Sequence, residues 1–269
     1  MRFYDAHNHL QDERFGGRQA ELLQVCRGAG VARMVVCGSC ESDWPAVLEL
    51  ARAYPEVLPS FGYHPWYVHQ RTPGWQEHLI QFLDAVPAAV GEIGLDRWRP
   101  DLAYEGQEEV FVTQLRLAAE RNLPVSIHCL RAWGRLAELL RTGPRPARGF
   151  LLHSYGGPRE MVPMLAEMGA FFSLPGYFAH ARKQRQREVF RSVPADRLLI
   201  ETDAPDQALP ESRTEFPLAE TATGRPLNHP ANLAAVYAFA AELRGEPPEA
   251  LAATVAANFQ RLFGGLGAA

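Results

Sequence analysis

The chain has 269 residues, 47% of them hydrophobic and 22% charged, the composition of a globular protein with enough apolar residues for a sizeable core. No apolar run is long enough to cross a bilayer, and no basic-then-apolar leader opens the chain, so a cytoplasmic protein with no membrane association and no obligate protein partner is expected. A formal charge of −4 excludes a general attraction to polyanions and leaves the substrate class to be argued from local chemistry.

Short apolar runs alternate with stretches of helical periodicity along nearly the whole chain, the pattern of repeated βα units. Eight strands are expected, at Arg2–Asp5, Arg33–Cys37, Val57–Phe61, Ala88–Ile93, Pro124–Ile127, Gly149–Leu152, Ala170–Leu174 and Leu198–Glu201. Helices are expected between them at Gln19–Arg27, Ser42–Arg52, Gln76–Val86, Gly106–Arg121, Ala132–Arg141, Pro158–Met168 and Lys183–Ser192. Gly28, Gly30, Gly143-Pro144 and Gly169 supply stop signals. Eight strand–helix pairs joined by short connections close most economically into a (β/α)8, or TIM, barrel, an α/β fold spanning 1–269 as a single domain. The one long irregular stretch, Ala204–Asn228, carries four prolines and is expected to be a functional lid at the barrel mouth or a disordered segment. Two closing helices, Pro230–Arg244 and Pro247–Phe263, each begin on a proline.

Ligand-type residues recur at the strand ends, where such barrels collect their chemistry. The first strand runs into His7-Asn8-His9, whose imidazoles share one side because side chains alternate along an extended chain. The third strand leads to Gly62-Tyr63-His64-Pro65-Trp66, and the fourth contains Glu92. The fifth and sixth end in His128 and His153, and the eighth in Glu201-Thr202-Asp203. Any one of these has an ordinary structural use. Together, four imidazoles and two carboxylates excluded from water require a compensating cation.

The set suffices for two divalent ions, Mg²⁺, Mn²⁺ or Zn²⁺. His7, His9 and Asp203 would hold the first, His128 and His153 the second, and Glu92 would bridge them. Two ions about 3.5–4 Å apart lower the pKa of a shared water and clamp the oxygens of a scissile ester. Glu92 and Asp203 are then the catalytic carboxylates, with Asp203 placed to take the proton from that water. His64 stands apart on the third loop, better suited to contact substrate than to complete a metal shell. The pair Cys37 and Cys40 closes an apolar strand without a second cysteine pair, so neither structural zinc nor thiol redox chemistry is expected. Arg182-Lys183-Gln184-Arg185-Gln186-Arg187 offers positive charge for a polyanion or simply a solvated helix face. Trp66, Trp98 and Trp133 fall near strand ends, where they either stack on bases or pack beneath the loops.

Asp5-Ala6-His7-Asn8-His9, Gly62-Tyr63-His64-Pro65, Gly91-Glu92-Ile93-Gly94-Leu95-Asp96, Pro124-Val125-Ser126-Ile127-His128 and Glu201-Thr202-Asp203-Ala204-Pro205, in this order, resemble the TatD family of metal-dependent deoxyribonucleases within the amidohydrolase superfamily. Asn258-Phe259-Gln260-Arg261-Leu262-Phe263 resembles its closing helix. The resemblance implies a TIM barrel, a divalent-metal centre with the ligands above, and phosphodiester hydrolysis, typically 3′ exonucleolytic trimming of DNA. It also implies that an arginine after the fifth strand binds substrate phosphate, a role that falls to Arg131, one residue further along than in the family pattern. Tyr155 replaces the family's phenylalanine after His153, and the loop at 206–228 is longer than in compact members. The alternative expectation is a superfamily hydrolase of a small ester, lactone or amide.

Overall fold

The computed structural model describes residues 1–99, 102 and 104–266. Its eight parallel strands are β1 (Phe3–Asn8), β2 (Val31–Cys37), β3 (Val57–Phe61), β4 (Ala89–Asp96), β5 (Val125–Leu130), β6 (Phe150–Leu152), β7 (Ala170–Pro175) and β8 (Leu198–Glu201), each paired with the next in chain order. Helices α1 (Gln19–Gly28), α2 (Trp44–Ala53), α3 (Trp75–Ala85), α4 (Gln107–Arg121), α5 (Trp133–Thr142), α6 (Val162–Glu167) and α7 (Gln184–Ser192) cover the outside, and α8 (Leu233–Arg244) and α9 (Pro248–Phe263) follow β8. Helices outside and packed side chains inside leave almost every strand residue buried, which is why these segments read as continuous apolar runs. The architecture is the TIM barrel expected from the sequence.

Closure of the barrel is also what brings the two ends of the chain's chemistry together. At the C-terminal ends of β1 and β8, the His9 N–H donates to the Ala204 carbonyl at 2.7 Å and the Asp203 N–H to the His7 carbonyl at 3.0 Å. Beneath them the buried Asp5 carboxylate accepts from the Thr202 N–H (2.9 Å) and hydroxyl (2.5 Å). The two closing helices seal this seam. The Tyr237 hydroxyl of α8 accepts from the Tyr4 N–H and donates to the Tyr4 carbonyl, so a strand left without a full ladder partner keeps its backbone satisfied. On α9, the Asn258 amide donates to the carbonyls of Ala195 and Leu198 at 2.8 Å each, tying the helix to the start of β8.

Some boundaries differ from those read off the sequence, each for a local reason. Strand β4 continues through Gly94 to Asp96, because Gly94 lets it press against β5: a Cβ there would lie 1.9 Å from the His128 carbonyl oxygen. Helix α6 is shorter than expected, since Pro163 near its start leaves Arg159–Met161 as a separate 3-10 turn. The segment read as an irregular loop contains an antiparallel hairpin, β9 (Pro217–Ala219) and β10 (Pro226–Asn228). Three-residue strands are too short to show a two-residue period. What holds the hairpin is remote: the buried Asn232 side chain accepts from the N–H groups of Glu215 and Phe216 and donates to the Phe216 carbonyl.

Candidate metal centre

All six donors expected from the sequence converge at the C-terminal end of the barrel, and His64 joins them. The Nε2 atoms of His7 and His9 lie 3.3 Å apart. Glu92 Oε2 is 3.4 Å from the first and 3.3 Å from the second, and Asp203 Oδ1 is 3.7 and 3.6 Å from them. On the other side of Glu92, Oε1 lies 2.8 Å from His153 Nε2, 3.0 Å from His128 Nδ1 and 3.4 Å from His64 Nε2. Nδ1 of His128 and Nε2 of His153 are 3.3 Å apart. Ligands about 2.0–2.1 Å from one tetrahedral ion are separated by about 3.3–3.4 Å. The spacing of these atoms therefore fits a cage that can hold a metal on either face of the Glu92 carboxylate, and His7, His9 and Glu92 form one such group.

For His9, His128 and His64 the outer contact decides which ring nitrogen carries the proton. His9 Nδ1 donates to the Cys37 carbonyl at 2.8 Å, and His128 Nε2 donates to Asp96 Oδ2 at 3.0 Å. His7 Nδ1 contacts the Ser126 hydroxyl at 2.8 Å, and His153 Nδ1 faces Glu201 Oε1 at 3.7 Å. A ring nitrogen that gives its proton to an acceptor leaves the other with a lone pair, the form a metal requires. His64 is the reverse case. Its Nδ1 accepts from the Trp66 N–H at 3.2 Å, so in the neutral ring Nε2 carries the proton and points a donor at Glu92.

Charge in this cluster is tightly constrained. Burial lowers His7 to about 4, helped by neighbouring His153, and burial lowers His64 to about 4 against the attraction of Glu92. Burial disfavours the charged form of Glu92 too, but the imidazoles of His64, His153 and His7 outweigh it and hold that carboxyl well below its ordinary range. His9 is likewise opposed by burial, yet Glu92 and Asp203 raise it to about 9. Burial raises Asp203 to about 7. Without an ion the cluster thus retains protons that cation binding displaces, which makes metal uptake proton-coupled.

Sequence reasoning overlooked several supporting residues. Asp96 anchors His128 and also accepts from the Trp66 indole at 2.6 Å. Glu201, fully buried, accepts from the hydroxyls of Ser154 and Ser173 behind His153. The Gln207 amide donates to Asp203 Oδ2 at 2.6 Å and to the Ser154 hydroxyl at 2.5 Å, leaving Asp203 Oδ1 facing the imidazoles. The same period of two that singles out His7 and His9 also pairs Glu92 with Asp96 and Glu201 with Asp203. Nothing local in the sequence pointed to Gln207.

The remaining candidates separate in the structure. Arg131 is exposed on left-handed backbone (φ 54°), three residues beyond His128, with no polar partner among the described residues. In the basic run, the Arg187 guanidinium donates to the carbonyls of Phe178 and His180, a structural use. Arg182 and Lys183 instead lie over the Tyr177 ring, 5.1 and 4.6 Å from its centre, on the loop after β7. All four cysteines are buried and unpaired, as small apolar filling would be.

Comparison with known proteins gives the family and the fold. The family described as TatD related DNase matches residues 4–264. The chain is 32% identical over 265 residues to the uncharacterized metal-dependent hydrolase YjjV of Escherichia coli K12, covering 97% of this chain and 98% of that protein. It is 33% identical over 264 residues to the 3′-5′ ssDNA/RNA exonuclease TatD of the same strain, with the same coverage. The crystal structure of the YjjV protein superimposes with a TM-score of 0.87 over 97% of both chains. A TatD family hydrolase from Entamoeba histolytica, 20% identical, shares the fold with a TM-score of 0.85 over 98% of this chain and 99% of that one.

Proposed function

Because the chain belongs to the TatD related DNase family and is a metal-dependent hydrolase, we propose that it cleaves phosphodiester bonds of single-stranded nucleic acid from the 3′ end, using two divalent ions. The observation that carries this reading is the gathering of five imidazoles around Glu92, with His9 and His128 donating outward and so keeping an inward nitrogen free for a metal, and His64 accepting outward and so presenting a proton. His7, His9 and Asp203 would hold one ion, His128 and His153 the other, and Glu92 would contribute one oxygen to each. Bound there, divalent ions supply a water of lowered pKa and neutralise charge on the phosphodiester.

The chain's own groups do the rest. Asp203, oriented by Gln207, takes the proton of the attacking water. His64 donates from Nε2 to a phosphate oxygen or to the departing 3′ oxygen. Arg131, exposed at the rim, offers a cation to the next phosphate. The whole chain, 1–269, would act as one domain. Among the described residues no helix is long and apolar enough to cross a membrane, in keeping with action in the cytoplasm.

The test is hydrolysis of a 5′-labelled single-stranded oligonucleotide with Mg²⁺, Mn²⁺ or Zn²⁺ supplied in turn. Stepwise release from the 3′ end is expected, together with a loss of about 10²–10⁴ in kcat for Asp203→Asn. Turnover of a lactone or simple ester without cleavage of any oligonucleotide would overturn the reading, and Asp203→Asn at full rate would overturn the role of Asp203.

A further inference from the structure

The three tryptophans near the strand ends have different surroundings. Trp133 packs edge-on against the buried Tyr155, with 4.6 Å between ring centres. Trp66 donates from its indole nitrogen to Asp96 and sets its ring against His64, 5.0 Å between centres. Trp98 is 50% exposed, and among the described residues Met1 is the other large hydrophobic so open to solvent. An exposed indole offers a large flat apolar face to a ligand, and what gives it meaning is its place beside the centre.

Its backbone is nevertheless anchored to the centre. The Trp98 N–H donates to Asp96 Oδ1 at 2.6 Å, while Oδ2 of the same carboxylate accepts from His128 at 3.0 Å. One side chain therefore registers Trp98 against the donor set formed by His128, His153 and Glu92. Cations flank it on both sides in the chain: the Arg97 guanidinium lies 3.8 Å over the Tyr104 ring, and that of Arg99 lies 5.1 Å over Trp66. A half-exposed indole between two guanidiniums is complementary to a flat apolar ring joined to anions. An apolar protein partner would have to desolvate the exposed Arg97 guanidinium, whereas a nucleic acid strand brings a phosphate to it.

We propose that Trp98 is the stacking platform for a nucleobase next to the scissile phosphate, and that Arg97 receives a phosphate beside that base. The inference rests on the nuclease reading and sharpens it: binding is to a single strand with accessible bases, tolerant of base identity because every base has a stacking face.

The experiment uses the Mn²⁺-loaded protein and oligothymidylate, against oligomers in which one nucleotide near the 3′ end is replaced by an abasic tetrahydrofuran, each position in turn. Trp98→Ala should raise KM about tenfold on the intact oligomer with little change in kcat, and Trp98→Phe should restore most of the loss. The unaltered protein should lose a similar factor on the one abasic oligomer whose missing base is in register, and Trp98→Ala should not distinguish that oligomer from the intact one. If both proteins discriminate equally, or if Trp98→Ala lowers kcat with KM unchanged, the platform is overturned while the nuclease reading stands. If the unaltered protein cleaves none of the oligomers, the nuclease reading falls and the platform with it.

Discussion

At the scale of single residues, the proton on each imidazole matters more than its distance from Glu92. His64 and His128 both approach Oε1, at 3.4 and 3.0 Å, and distance alone would make either a metal ligand. Their outer partners separate them: a carboxylate takes a proton from His128, whereas a backbone N–H gives one to His64. His128→Gln is therefore expected to cost one equivalent of bound metal along with activity. His64→Gln should keep the full metal content and lose about 10²-fold or more in kcat, the usual scale for a lost donor at a developing charge. Elemental analysis of the purified variants beside their rate constants checks both statements, and loss of an ion from His64→Gln would reassign that residue to the metal shell.

At the scale of elements, two contacts hold the site's walls. Gly94 permits the approach of β4 to β5 that brings Glu92 and Asp96 to His128, and its φ of +153° lies outside the range side chains favour. Gly94→Ala should destabilise the fold by ~3 kcal/mol and lower metal affinity, read by denaturant titration and calorimetry. Glu41, in the loop before α2, holds the segment between β3 and α3, accepting from the Tyr63 hydroxyl (2.6 Å), the Thr72 N–H (2.9 Å) and hydroxyl (2.7 Å), and His78 (2.6 Å). Partial burial raises its carboxyl, but the hydrogen bonds from Thr72, Tyr63 and His78 outweigh that and hold it at about 2. A carboxyl depressed in the folded state contributes stability that is complete above its unfolded pKa of about 4.3 and disappears as pH falls toward 2. The gap in melting temperature between the unaltered protein and Glu41→Gln should therefore be constant from pH 8 to 5 and close between about pH 4 and 2. A gap that persists at pH 2 would show that the clamp does not depend on the charge.

For the whole molecule, the metal centre is also the seam of the barrel. His7, His9 and Asp203 sit where β1 and β8 meet, joined by two backbone hydrogen bonds, so an ion held there links the first and last strands. An ion that binds only the folded state at one hundred times its dissociation constant adds about 2.7 kcal/mol. For a chain of this size that corresponds to a rise in melting temperature of roughly 5–10 °C. Dialysis against a chelator should lower the melting temperature by that amount, and restoring Mn²⁺ or Zn²⁺ should recover it. An unchanged melting temperature would mean that the seam holds without the ions.

The order of elements, the barrel and the convergence of His7, His9, Glu92, His128, His153 and Asp203 were legible in the sequence because they rest on local periodicities. Apolar runs buried on both faces mark the strands, and alternation puts polar residues on one side of their ends. Three features required the folded chain. The hairpin at 217–228 depends on Asn232, a side chain beyond its second strand, and no pattern within three-residue strands announces it. The tautomers of His9 and His128 depend on acceptors 28 and 32 residues away in the chain, the Cys37 carbonyl and the Asp96 carboxylate. Trp66, Trp98 and Trp133 look alike as residues near strand ends, and only their surroundings leave Trp98 exposed. Residue type and spacing determined which chemistry is available to this protein. Barrel closure decided which atom performs it, because hydrogen-bond direction and solvent exposure are properties of neighbours in space.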